Sequence, residues 1–146
     1  MLTEKEAQEL IRALKYFHRK MQNYILPDPG KRDQLDLISD DGKNEFKVDL
    51  NQGKIEPKFT FQLRLNHANL ILVRVDVGGP THENPDHKKV QGPHIHIYKQ
   101  YKSREDRWAY PLPKNLFVLS DDYVLTFINF LEFVHVNKSG INIDSR

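Results

Sequence analysis

The chain has 146 residues, 38% of them hydrophobic and 29% charged, and 22 Lys and Arg against 20 Asp and Glu leave a formal net charge of +2. That length supports one domain with a real core, the apolar content excludes wholesale disorder, and the near-balanced charge excludes binding of nucleic acid by net charge alone. The absence of cysteine removes disulfides, thiolate zinc sites and cysteine nucleophiles together.

Taken in chain order, Thr3 and Glu6 read as a capping box. Apolar residues then recur at Ala7, Leu10, Ile11, Leu14, Phe17, Met21 and Ile25, which is helical spacing. The pattern predicts one amphipathic helix that stops near Leu26, before Pro27, Pro29 and Gly30, with His18 at its interface edge. This N-terminus has no apolar h-region, and no run approaches the roughly 20 residues that span a bilayer, so a cytoplasmic protein without membrane contact is expected.

From residue 35 the period changes to two. Residues 35–38 and 45–50 flank Asp40-Asp41-Gly42-Lys43, a hairpin signal. Asn51-Gln52-Gly53 turns the chain into residues 58–65, where Phe59, Phe61, Leu63 and Leu65 alternate with Thr60, Gln62 and Arg64. A turn at residues 66–69, with His67 in it, leads to a strand at 70–77, and a strand at 93–98 follows after a polar loop at 78–92. Residues 108–110 suit a short sixth strand. Gly78-Gly79-Pro80 permits a sharp exit from the strand before it and is no phosphate loop. Ser120 reads as the cap of a second helix, with Asp121 and Asp122 in its first turn, a largely apolar circumference and His135 at its end. Residues 137–146 read as a polar, flexible tail. The expected fold is a single α+β domain over 1–146: an N-terminal helix, an antiparallel β meander of about five strands and a C-terminal helix packed on the sheet.

Four of the seven histidines fall between residues 70 and 98. His94 and His96, two apart on one strand, point to one face, with Ile95 and Ile97 on the other. Arg74 and Asp76 would share the histidine face if the two strands pair. Three chemistries fit. His94 and His96 can act as acid and base in metal-free RNA cleavage, with Arg74 on the phosphate and Asp76 orienting. Alternatively they hold a divalent metal, with His82, Asp76 or Glu83 completing the site and water in an open position. The third reading is a solvated face with Arg74 and Asp76 as a surface ion pair and Asn84 organising the turn. Lys88 and Lys89 beside His87, and Lys99, Lys102, Arg104 and Arg107 after the histidine strand, form a local basic patch. Tyr98 and Trp108 are the candidates for stacking a base.

The string Leu72-Val73-Arg74-Val75-Asp76, then Pro80-Thr81-His82, then Pro93-His94-Ile95-His96 resembles small toxins of bacterial toxin–antitoxin pairs. The longer pattern GPTHENPD…GPHIHIY is similar to an uncharacterised family of small bacterial or phage proteins, over roughly residues 59–98. The toxin-like proteins often carry a doubled histidine after the proline, where this chain has Thr81 and a single His82. The resemblance implies a cytoplasmic growth-inhibiting protein acting on RNA and restrained by a small antitoxin-like partner. The leading expectation is therefore an RNA-cleaving cleft of Arg74, Asp76, His82, His94 and His96 that requires no cofactor. A non-catalytic module binding protein or nucleic acid is the alternative, and a metal-dependent hydrolase the third.

Overall fold

The computed structural model of the chain describes residues 2–55 and 57–146. Its elements in order are α1 (Glu4–Arg12), β1 (Lys15–Phe17), β2 (Asn23–Ile25), β3 (Arg32–Ser39), β4 (Glu45–Gln52), β5 (Phe59–Leu65), β6 (Leu70–Val77), β7 (His82–Glu83), β8 (Lys89–Val90), β9 (His94–Ile97), β10 (Ala109–Pro111), α2 (Tyr123–Phe133), β11 (Val136–Asn137) and β12 (Asn142–Asp144). The meander β3 to β6 stands where the period-two pattern places it, antiparallel throughout. It forms the middle of an eight-stranded sheet in the order β10-β9-β6-β5-β4-β3-β1-β11, so the sheet is larger than the five or so strands expected. Only the outermost β1–β11 pair in that sheet is parallel.

The capping box forms as read: the Thr3 hydroxyl accepts from the Glu6 amide and the Glu6 carboxylate from the Thr3 amide, both at 3.0 Å. The helix does not run on to Leu26, however. Ala13 leaves the helical region with ψ 135°, and Lys15–Phe17 pairs with both β3 and β11. The aromatic and β-branched residues Tyr16, Phe17, Tyr24 and Ile25 suit strands, and here sheet pairing overrides an accidental helical spacing. Consequently His18 lies exposed between two strands and is not at a helix interface. At the corner, the buried Lys15 ammonium donates to the carbonyls of Ile11, Ala13 and Val134, each at 2.8 Å.

Two other expectations are corrected. Asp122, not Ser120, caps α2, its carboxylate accepting from the Leu125 amide at 2.9 Å. The Ser120 carbonyl instead accepts from the Thr126 hydroxyl. The C-terminal segment does not fray along its whole length, because β12 pairs in parallel with β2 over Asn142 to Asp144. That pairing satisfies backbone groups which the polar composition alone leaves to solvent.

Both helices bury against one face of the sheet. Phe61 of β5 sits 5.0 Å from Phe127 and 5.9 Å from Phe130 of α2, ring centre to ring centre. Ala7 and Ile11 of α1 belong to the same core. Val73, Val75 and Val77 of β6 and Ile95 of β9 point into it, so their neighbours point away from the helices. The opposite face therefore carries Thr60, Arg74, Asp76, His94 and His96. Among the described residues no helix is long and apolar enough to cross a membrane.

Candidate functional site

Strand register assembles this face. Thr60 stands opposite Asp76, Asp76 opposite His94, and Arg74 opposite His96. Cross-strand partners in adjacent strands lie about 5 Å apart, close enough for these side chains to bond. Asp76 is the hub: its Oδ2 lies 3.2 Å from His94 Nε2, 3.1 Å from His96 Nε2 and 3.2 Å from Arg74 Nε. Arg74 also donates from Nη1 to Asp106 Oδ2 at 3.2 Å, and its Nη2 lies 3.0 Å from His96 Nε2.

The loop after β6 brings in the third histidine. Gly78 leaves β6 at φ +78° with its α-carbon packed against the Pro57 carbonyl, where any Cβ would collide. This close approach sets Lys58 and Thr60 beside the loop. Within residues 78–92, which the sequence shows only as a long polar stretch, β7 and β8 pair as a small hairpin. Asn84 pins that hairpin to β10. Its side chain accepts from the Ala109 amide at 2.8 Å and donates to the Ala109 carbonyl at 3.0 Å, as a strand neighbour would. His82 is thereby held with its ring centre 4.9 Å from that of His96 and 5.7 Å from that of His94.

Each imidazole has one nitrogen assigned by a backbone carbonyl, which can only accept. His94 Nδ1 donates to Gly92 O at 3.0 Å, His96 Nδ1 to Asp106 O at 2.9 Å and His82 Nε2 to Arg107 O at 2.9 Å. The nitrogens left for chemistry are Nε2 of His94, Nε2 of His96 and Nδ1 of His82. One ring nitrogen from each of the three residues lies within 4.8 Å of the others, close enough for the triad to hold a metal ion.

The protonation preferences of the cluster diverge. Burial pushes the Asp76 carboxyl up, but hydrogen bonds from His94 and His96 and the Arg74 charge outweigh it, and the group sits well below the usual carboxylate range. His94 is raised, mainly by its bond to Asp76. His82 is lowered, mainly by burial, with the neighbouring His96 and His94 adding to the effect. Burial also pushes Asp106 up, yet the Arg104 bonds and the charges of Arg104 and Arg74 bring it below its ordinary value.

A cleft of about 270 Å³ opens on this face, lined by Lys58, Thr60, Arg74, Asp76, His82 and His94 among others. All five residues proposed for catalysis from the sequence thus come together, but not with equal access. His96, 1% exposed, does not line the cleft, whereas His94, itself only 4% exposed, does. The nucleic-acid candidates fare worse. Tyr98 is buried in the core and donates its hydroxyl to the Leu2 carbonyl, which excludes base stacking. Trp108 is half-buried with the Lys99 ammonium 4.6 Å from its ring centre. Lys88 and Lys89 are exposed on the hairpin and do not line the cleft. Sequence reasoning missed Lys58, Thr60 and Asp106. The first two were legible in principle, as the polar members of the alternation through Phe59 and Phe61. Asp106 carries no local signal, because it lies in an irregular charged segment.

A family model described as a family of unknown function (DUF6978) matches residues 2–136. No curated protein and no solved structure matches the chain.

Proposed function

The chain belongs to the DUF6978 family, whose function is unknown, and from the geometry of its cleft we propose that it cleaves RNA by metal-independent acid–base catalysis. The observation that carries this reading is geometric: His82 and His94 line one cleft with ring centres 5.7 Å apart, beside Lys58 and Arg74, and their environments favour neutral His82 and cationic His94. Groups in one site whose environments push their pKa values apart are the natural base and acid.

In this mechanism His82 takes the proton of a 2′-hydroxyl through Nδ1. The 2′-oxygen forms a bond to phosphorus as the bond to the 5′-oxygen breaks. His94 gives that leaving oxygen the Nε2 proton it now shares with Asp76. The products are a 2′,3′-cyclic phosphate and a 5′-hydroxyl. Lys58 and Arg74 offset the charge that develops on the phosphate oxygens. RNA is the favoured substrate because its 2′-hydroxyl supplies the nucleophile on which an acid–base pair acts. The acid–base pair differs from the sequence expectation of His94 with His96, since it is His82 that lines the cleft with His94.

A specific observation favours a second reading. Three histidines within 4.8 Å, each with its other nitrogen fixed by a carbonyl, have the outer-shell support typical of metal ligands. Against it, the Arg74 guanidinium lies 3.0 Å from His96 Nε2, a fixed positive charge beside the would-be cation. The resemblance to toxin–antitoxin toxins extends the proposal to a growth-inhibiting role restrained by a small antitoxin-like protein.

The deciding experiment incubates the protein with a short RNA, with and without chelator, and with the same RNA carrying 2′-deoxyribose throughout. Cleavage that survives chelator and needs the 2′-hydroxyl supports the first reading. Cleavage lost with chelator, together with a melting temperature raised by zinc, replaces it with the second. Binding without cleavage under all conditions leaves a non-catalytic module.

A further inference from the structure

Beside the cleft, on the far side of His82, lies a second and larger hollow of about 470 Å³ between the β7–β8 hairpin and the loop that follows β9. Its walls carry His87, Lys102, Arg104 and Arg107 against the single carboxylate of Glu83, with Tyr101 as the aromatic member. A single hydrogen bond joins the linings of the two hollows. His82, which lines the cleft, donates to the carbonyl of Arg107, whose residue lines the groove. Asp106 holds one guanidinium from each side: its Oδ2 accepts from Arg74 Nη1 at 3.2 Å and from Arg104 Nη2 at 3.0 Å. One buried carboxylate therefore fixes two cations, one per hollow, in a single network.

One loop tip presents its side chain here at a conformational cost. Lys102 adopts a φ of 54°, a left-handed region that glycine, asparagine and histidine enter more easily than lysine. Lys102 sits in the tight turn closed by reciprocal Tyr101 and Arg104 backbone bonds, and its ammonium lies 5.4 Å from the Tyr101 ring centre. Basic side chains beside an aromatic ring, in a groove open to solvent, match a single-stranded nucleic acid in charge and in stacking capacity.

We infer that this groove is the subsite for the single-stranded nucleotides that flank the scissile linkage. Lys102 and Arg107 each take a phosphate, and Tyr101 offers its ring to a base. The assignment rests on the cleft being the place where RNA is cut, because a strand with one phosphate in the cleft continues past His82 into this groove. It also moves the nucleic-acid surface from Lys88, Lys89, Tyr98 and Trp108 to residues 101–107.

The test measures binding of a fluorescent, fully 2′-O-methylated single-stranded oligonucleotide, which cannot be cleaved through its 2′-oxygen, across a range of salt concentrations. Lys102→Ala/Arg107→Ala is expected to weaken binding and to flatten the log–log salt dependence by about 1.4, at roughly 0.7 for each phosphate no longer neutralised. Tyr101→Ala is expected to weaken binding roughly ten-fold with the slope unchanged. Lys5→Ala/Lys31→Ala, which removes two exposed charges elsewhere, controls for net charge. The inference is overturned if the groove variant changes the slope no more than this control, or if the wild type does not bind the probe. Cleavage of unmodified RNA is scored separately. Groove-dependent binding without cleavage would sink the catalytic proposal and keep the subsite. Cleavage with groove-independent binding would do the reverse.

Discussion

Two regions of the same sheet bury charge, and they do so to different ends. Near the β1–β11 edge, the Lys15 ammonium is fully enclosed and donates its three protons to three backbone carbonyls at 2.8 Å. Near the opposite edge, Asp76 gathers two imidazoles and a guanidinium, and part of that cluster lines an open cleft. Lys15 closes the C-terminal ends of α1 and α2, where a cation also meets the negative end of each helix dipole. Burial of charge alone is thus no sign of chemistry. What sets the histidine region apart is access, together with titrating groups displaced in opposite senses.

The largest expected effects separate the two regions by readout. His94→Ala should lower RNA cleavage per folded molecule by roughly 10²–10⁴-fold, the usual contribution of a general acid, with a smaller loss of stability that fades as pH rises through the raised His94 value. Lys15→Met should do the opposite. Leaving three carbonyls without a partner costs about 1 kcal/mol each, roughly 3 kcal/mol in sum, while the rate per folded molecule stays at the wild-type level. Urea denaturation and single-turnover cleavage on both variants measure this directly. Loss of activity in folded Lys15→Met would couple the two regions and break the comparison.

A smaller effect appears in the pH dependence of stability, where the signs differ. His94 has a folded pKa raised by Asp76, so its contribution is fully present below the unfolded value of about 6.5 and is lost as pH rises through the higher folded value. Burial pushes the Lys15 ammonium down to about 7. The unfolded chain then binds more protons at this site, and stability rises with pH from about 7 towards the unfolded lysine value of about 10.4. Between pH 6.5 and 9, about the range of these titrations, the wild type should lose its advantage over His94→Ala and gain on Lys15→Met. Parallel curves for all three proteins would refute both assignments. Cleavage should follow a bell with a broad top around neutrality, because the base is lowered and the acid raised.

The two regions also differ in how far the sequence announces them. Alternation through Phe59, Phe61, Val73 and Val75 was enough to put Arg74 and Asp76 on one face with His94 and His96, given only that β6 and β9 pair. Side-chain parity is a local property and survives translation into the fold. The Lys15 corner was illegible for the converse reason. Its partners Ile11 and Ala13 are near in sequence, but Val134 is 119 residues away, and β11 pairs with β1 over a similar distance. Helical spacing from Ala7 to Ile25 pointed to the wrong element because seven apolar residues can match a 3.6-residue period and still be used two residues at a time. The hairpin that carries His82 was hidden likewise, since Asn84 acts as its strand partner through a side chain. The C-terminal strand depends on β2, itself concealed by the same false helix.

The smallest effect tests what holds Lys15 besides its carbonyls. The ammonium lies 5.0 Å from the centre of the Phe46 ring, on the neighbouring part of the core. Phe46→Leu removes the ring face and some volume, so its total cost mixes packing with attraction of the cation. A double-mutant cycle with Lys15→Met isolates the second part, since packing loss is common to both backgrounds. A coupling of roughly 0.5–2 kcal/mol is expected for a desolvated cation over an aromatic face. Coupling near zero would mean that the carbonyls alone hold the ammonium. In either case Phe46→Leu should leave the pH profile of cleavage unmoved, because among the described residues the partners of Lys15 and those of Asp76 have no member in common. A shift in that profile would show the two buried charges to be linked through the sheet.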